Sequence, residues 1–242
     1  VGRTLGDTYL IEGVIGSGPH GTLYAARHLR LACRTAVKVL PMDPGPRRQG
    51  LLATLGGLAS MAHPHLLPPR DVMQLAEGPI LLSFPLLEGE DLASRVALRG
   101  KLTQAEGLLM VRQTCAALLA LHRRGLAHGN LTATNIFFAR YDDVAIDNAL
   151  GGSAGAQMVV LLDMGLNAMD GHPATGADDQ RSLAQLVRDH VADLTPQQQK
   201  ALERAESSNT KTRFASVQDL WKALLANAGP SADLTAHVGL RR

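Results

Sequence analysis

Gly16-Ser17-Gly18-Pro19-His20-Gly21 follows the apolar run Ile11 to Ile15 and precedes a second run, Thr22-Leu23-Tyr24-Ala25-Ala26. Alone, a G-x-G-x-x-G pattern is weak and often marks only a turn between strands. In a dinucleotide-binding fold the third glycine opens a helix, and an acidic residue follows about 20 residues later. Here the residues after Gly21 are strand formers, then basic residues, then Ala36-Val37-Lys38-Val39-Leu40. The pattern is therefore strand, glycine turn, strand, and then a third strand that carries one lysine among apolar neighbours.

The bulk composition bounds what surrounds this stretch. The chain has 242 residues, 45% of them hydrophobic and 19% charged, enough to bury a substantial core in one large domain or two small lobes. Net charge is only +2, and the basic residues are scattered, so no nucleic-acid surface is announced. The pairs Arg47-Arg48 and Arg123-Arg124 are short and read as solvated helix ends. Cys33 and Cys115 lie far apart without a C-x-x-C pair, and each reads as a small buried hydrophobe in a reducing compartment. No apolar run reaches membrane-span length, so the expectation is a soluble, cytoplasmic segment without membrane insertion.

Two textures divide the chain. From Tyr9 to Leu82 the apolar runs are short and rich in Val, Ile and Leu, which predicts mostly sheet. The exception is Arg47 to Met61, where Leu51, Leu52, Leu55 and Leu58 recur at helical spacing after Pro44-Gly45-Pro46. Past Gly89 the pattern turns helical, with Leu108, Val111, Cys115, Leu118, Leu119 and Leu121 forming one apolar face. Ile136 to Ala139 and Met158 to Leu162 predict a hairpin whose long loop includes the Gly- and Ala-rich Ala149 to Ala156. The tail with Gly229-Pro230-Ser231 reads as a linker.

Further landmarks follow in a fixed order. Ala36-Val37-Lys38 resembles the V-A-I-K strand of protein kinases, and His63-Pro64-His65 the turn after their αC helix. Leu81 to Leu92 resembles the inter-lobe hinge. His128-Gly129-Asn130-Leu131-Thr132-Ala133-Thr134-Asn135 stands in place of H-R-D-L-x-x-x-N, and Asp163-Met164-Gly165 in place of D-F-G. Asp179-x-x-Ser182-Leu183 resembles the start of αF, and Arg213-Phe214-Ala215-Ser216 the turn before the last helix. Together these resemble the bacterial eukaryotic-like Ser/Thr protein kinases. The resemblance implies an α+β, bilobal fold, with an antiparallel five-stranded sheet plus αC in residues 1–87, a mainly helical lobe in 88–228, and a tail in 229–242.

The resemblance also assigns roles. A nucleotide would meet Gly16, Gly18, Gly21, Leu23, Ala36, Lys38, Leu87 and Phe137. Asn135 and Asp163 would hold Mg²⁺, and His128, Asp179 and Arg213 would be structural. Departures cluster in the catalytic loop. Asn130 replaces the Asp that accepts the substrate hydroxyl's proton, and a neutral amide cannot take a proton near pH 7. Thr132 stands where the family commonly has a lysine, and Gly129 replaces the arginine that binds a phosphorylated activation loop. The αC glutamate should fall near Ala53, yet Pro44 to Arg70 contains no Asp or Glu. Pro19 removes one N–H from the glycine loop, and because Lys38 lacks its usual acidic partner on αC, a solvated strand residue stands as the alternative to a phosphate-binding role for it.

Between Gly165 and Asp179 lie only about a dozen residues with no A-P-E sequence, and the helix from Asp179 to about His190 runs almost directly into Thr195-Pro196-Gln197. The expected lower lobe is thus trimmed, lacking a full activation segment and αG. The reading is a pseudokinase that binds a protein partner, with weak or no ATP and Mg²⁺ binding. The rival is an atypical nucleotide-dependent transferase, or a kinase of residual activity, using Lys38, Asn135 and Asp163. His20 and His172, which could replace the lost cations, read as exposed, inert loop histidines.

Overall fold

A computed structural model describes residues 2–41, 45–75, 78–140, 157–166, 169 and 174–228. The loop tip around Ala149–Ala156, His172 and the tail from Gly229 lie outside the described residues. The chain divides into two compact units: Val1–Ala62 with Leu67–Glu88 and Gly165–Pro173, and His63–Leu66 with Gly89–Met164 and Ala174–Arg242.

The first unit is an antiparallel sheet with one helix. Its strands are β1 (Thr4–Leu5), β2 (Tyr9–Gly18), β3 (Gly21–His28), β4 (Cys33–Leu40), β5 (Asp71–Gln74) and β6 (Ile80–Pro85), ordered β1-β2-β3-β4-β6-β5. Six strands stand where five were expected, because Thr4 and Leu5 pair with Leu10 and Tyr9. Alternation puts Tyr9, Ile11, Ala26, Val37 and Leu81 into one buried cluster, and the Tyr9 hydroxyl donates to Asp71 at 3.0 Å. Helix α1 (Pro46–Ala59) buries Leu51, Leu55 and Leu58 at the predicted spacing. Two expectations fail here. Cys33 is exposed, because it opens β4 just past the β3–β4 turn, and Arg48 is buried rather than solvated. The hinge-like stretch is also shorter than read: Leu81 and Leu82 lie inside β6, and only Leu86 to Glu88 connect it onward.

The second unit holds β7 (Gly89–Asp91), α2 (Leu92–Arg99), α3 (Gln104–His122), β8 (Ile136–Arg140), β9 (Gln157–Leu161), α4 (Gly176–His190), α5 (Pro196–Glu206) and α6 (Val217–Ala226). The predicted hairpin is β8–β9, and β7 adds a third antiparallel strand. Every one of these helices begins on a side-chain cap: Asp91, Thr103, Thr175, Thr195 and Ser216 each accept a backbone N–H from the first turn. Such caps typically stabilise by about 1 kcal/mol each. Thr195 followed by Pro196 is the start read from the sequence, whereas α4 begins at Gly176, three residues before Asp179, because Thr175 and Asp178 form a capping box. Helix α3 packs against α4, α6 and β9 around Met110, Leu118, Leu121, Leu183 and Leu220. Among the described residues no helix is long and apolar enough to cross a membrane.

Candidate nucleotide and catalytic-loop sites

In the first unit, β2 and β3 close through Pro19 and His20, with Gly18 opposite Gly21. Gly21 has φ +119°, and a Cβ there would run into the carbonyl of Val39 on β4. Gly16 and Gly18 face open space. The first two glycines thus leave room above the hairpin, whereas the third is demanded by the neighbouring strand. Leu23 is half-buried and pairs with Lys38, while Ala36 and Lys38 share one face of β4 by the two-residue repeat. Lys38 is only 8% exposed and is engaged by another group of the chain, which rules out the alternative of a solvated residue. An ammonium this deep needs such a partner. His20 is likewise half-buried and engaged, not an exposed free histidine. Leu87 lies half-buried in the connection after β6.

Helix α1 carries no acid at all. Ala53, where the glutamate was expected, is exposed; the α1 side chains beside Gly165 are Thr54 and Leu58, whose methyl groups would meet a Cβ at Gly165 at 2.8 and 3.1 Å. The Thr54 hydroxyl is spent on the Gly50 carbonyl at 3.0 Å. What faces Gly165 from α1 is therefore apolar.

In the second unit the catalytic-loop residues assemble around three backbone anchors. His128 is fully buried, and its Nδ1 accepts the Asn130 N–H at 3.3 Å. Burial holds its imidazole pKa down, against the pull of Asp179, so the ring stays neutral with its proton on Nε2. The Asp179 carboxylate accepts the N–H groups of His128 at 2.8 Å and Gly129 at 2.9 Å. Gly129 has φ +74°, a left-handed conformation that costs a glycine little. Asn135 is buried; its Nδ2 donates to the Asn130 carbonyl at 2.8 Å, and its own carbonyl accepts the Leu162 N–H at 3.0 Å. That backbone bond puts Asp163, itself left-handed at φ +57°, one residue away from an anchor shared with Asn135. Asn130, Asn135 and Asp163 are thus brought together. Because Nδ2 of Asn135 is occupied, its Oδ1 is the end suited to a cation.

Phe137 sits half-buried on β8 opposite Val160, and its ring would be met by a Cβ at Gly89. Arg213 is buried away from these residues, donating to Ala177 at 2.8 Å and Ser207 at 2.6 Å, and so ties the segment before α6 to the start of α4. Two contributors were not read from the sequence. His122 Nε2 meets Asp179 at 2.8 Å, but a histidine in the last turn of a helix is an ordinary choice against the dipole and carried no distinct signal. Arg95 bridges Glu90 and Glu106 at 3.4 and 2.8 Å and lies over the Phe138 ring at 4.7 Å, a convergence of three elements that no local spacing encodes.

A comparison with protein-family models matches residues 9–168 to the protein kinase domain. The chain belongs to the protein kinase family. This kinase-family chain is 31% identical over 147 residues to the serine/threonine-protein kinase PknH of Mycobacterium tuberculosis, covering 59% of this chain and 23% of that protein. It is 29% identical over 149 residues to the serine/threonine-protein kinase PkaA of Streptomyces coelicolor, covering 55% of this chain and 27% of that protein. It therefore spans about a quarter of the length of these relatives. Among solved structures, the kinase domain of Mycobacterium tuberculosis PknI superposes with a TM-score of 0.73 at 21% identity, covering 94% of this chain and 98% of that one. A structure of Rad53 in complex with AMP-PNP gives 0.71 at 17% identity, covering 89% and 64%. The kinase fold, α+β with an antiparallel sheet in the first unit, is thereby established.

Proposed function

We propose that this kinase-family chain is a pseudokinase domain, one that works by holding a protein partner rather than by transferring phosphate. Asn130 carries the reading. It stands in the loop position where the family uses an aspartate to orient and deprotonate the attacking hydroxyl, and its amide has no basicity for that step. The loop around it is intact: its N–H and carbonyl are both anchored, by His128 and Asn135. Thr132 adds no cation, its hydroxyl lying 3.0 Å from that of Thr134. Helix α1 supplies no carboxylate to Lys38. The sequence supports the same reading, since only about a dozen residues separate Gly165 from Asp179 and they contain no A-P-E. The site would hold Mg²⁺ through Asn135 and Asp163 and ATP only weakly, and the domain would act in the cytoplasm as part of a larger protein.

A radiolabel assay tests this. With γ-labelled ATP and Mg²⁺ the chain should label neither itself nor generic protein substrates, and labelling that disappears in Asp163→Ala would overturn the proposal.

One observation favours a second reading, a nucleotide-dependent transferase using Lys38, Asn135 and Asp163. Lys38 is buried and engaged rather than released to solvent. Label transfer from α-labelled but not γ-labelled ATP would select this reading over the first.

A further inference from the structure

Helix α1 begins with charge in an unfavourable place. Its first turn holds Arg47 and Arg48 and no acid, so two cations face the positive end of the helix dipole. Arg47 is exposed to water, but Arg48 is 6% exposed. Its Nη1 donates to the carbonyl of Gly78 at 2.8 Å and its Nη2 to that of Leu75 at 3.3 Å. One guanidinium fork therefore takes up two carbonyls of the turn between β5 and β6. Both acceptors belong to the same compact unit as the helix.

Charge-assisted bonds of this kind are stronger than neutral ones, and a guanidinium buried without them would be strongly destabilising. The helix cannot move away from the turn without breaking both of these bonds. Farther along α1, the side chains that a Cβ at Gly165 would meet are those of Thr54 and Leu58, and the whole stretch from Pro44 to Arg70 contains no Asp or Glu to offer a strand lysine. In kinases an ion pair between strand lysine and αC glutamate ties helix position to the catalytic state.

We propose that Arg48 is a clamp: it fixes the position of α1 against the β5–β6 turn, so that the helix holds one place whether or not nucleotide is present. The clamp rests on its own geometry, and only its indifference to nucleotide rests on the pseudokinase reading. Lysine would substitute only in part, since a single ammonium presents no planar fork to two carbonyls.

Amide hydrogen exchange on the whole chain tests the clamp. In Arg48→Met the α1 amides should exchange at least about tenfold faster, and in Arg48→Lys by an intermediate factor, while α3 and α4 keep wild-type rates. In the wild type, millimolar ATP with Mg²⁺ should leave α1 exchange unchanged. Unaltered α1 exchange in Arg48→Met, or an equal rise throughout the chain, would overturn the clamp. Should Arg48→Met fail to fold, Arg48→Lys carries the same test. Slower α1 exchange in wild type with ATP would overturn the indifference to nucleotide. Phosphate transfer with α1 exchange unmoved by nucleotide would instead sink the pseudokinase reading and leave the clamp standing.

Discussion

Asp179 Oδ2 accepts the backbone N–H of His128 at 2.8 Å from a side chain that is 1% exposed. The same carboxylate takes the Gly129 N–H and meets His122, so one residue of α4 fixes both the catalytic loop and the end of α3. Asp179→Ala would leave buried donors without acceptors. We expect it to lower the free energy of unfolding by about 2 to 4 kcal/mol, with Asp179→Asn costing less because one oxygen remains. Urea titration measures both, and equal, near-zero effects would show that the anchor carries no stability.

Restoring the base should not restore the enzyme. Asn130→Asp returns a carboxylate to the loop but neither a cation at Thr132 nor an acid on α1. The expected outcome is no phosphate incorporation above wild type with generic protein substrates. Robust labelling by this single variant would mean the remaining machinery is complete.

For nucleotide, the expected dissociation constant for ATP with Mg²⁺ is at least about 100 μM, or about −5.5 kcal/mol. At 1 mM ligand such binding stabilises the fold by no more than about 1.4 kcal/mol, a melting shift of a few degrees. A thermal-shift series in wild type and Asp163→Ala checks this. A much larger shift that is lost in Asp163→Ala contradicts it.

Stability should fall on mild acidification. Burial pushes the His65 pKa down to about 4, and its Nδ1 donates to the Val159 carbonyl at 2.7 Å. Burial also lowers His63 and His128. Each folded pKa lies below the unfolded value near 6.5, so the unfolded chain binds more protons as pH drops below that value. Stability is therefore lost between about pH 6.5 and 4, and His65 alone accounts for about 2 kcal/mol between pH 7.5 and 5.0. Glu106 and Asp178, both lowered, add their own losses only at the acid end, as pH falls below their ordinary carboxylate values. In His65→Asn, whose amide can still donate to Val159, the loss over this range should shrink measurably; an unchanged profile would remove His65 as the cause.

The three glycines of the hairpin should respond differently. Gly21→Ala meets both a positive φ and the Val39 carbonyl, and should cost about 2 to 4 kcal/mol. Gly16→Ala and Gly18→Ala enter open space and should change stability by less than about 1 kcal/mol in chemical denaturation. Equal costs at all three positions would contradict this geometry.

Local patterns made the strands, α1, the β8–β9 hairpin and the Thr195-Pro196 helix start legible, because period-two and period-four apolar spacing and caps are written within a few residues. The order of the kinase landmarks was legible too. Missed were features set by contacts distant in sequence: burial of Lys38 and Arg48, whose surroundings come from other strands and turns; His122 against Asp179; and Thr54 rather than Ala53 facing Gly165. Cys33 was misread because hydrophobicity alone does not tell a strand's first residue from its middle. Charge beside charge in a sequence says little about which cation a fold will swallow.

Gly21 has a consequence for ancestry. Because β4 excludes any side chain there, selection for folding alone would keep the last glycine of the hairpin whether or not a phosphate lies above it. Gly16 and Gly18, free of that constraint, are the positions at which descendants of this lineage can drift, and their variation rather than the survival of Gly21 would record whether nucleotide still matters.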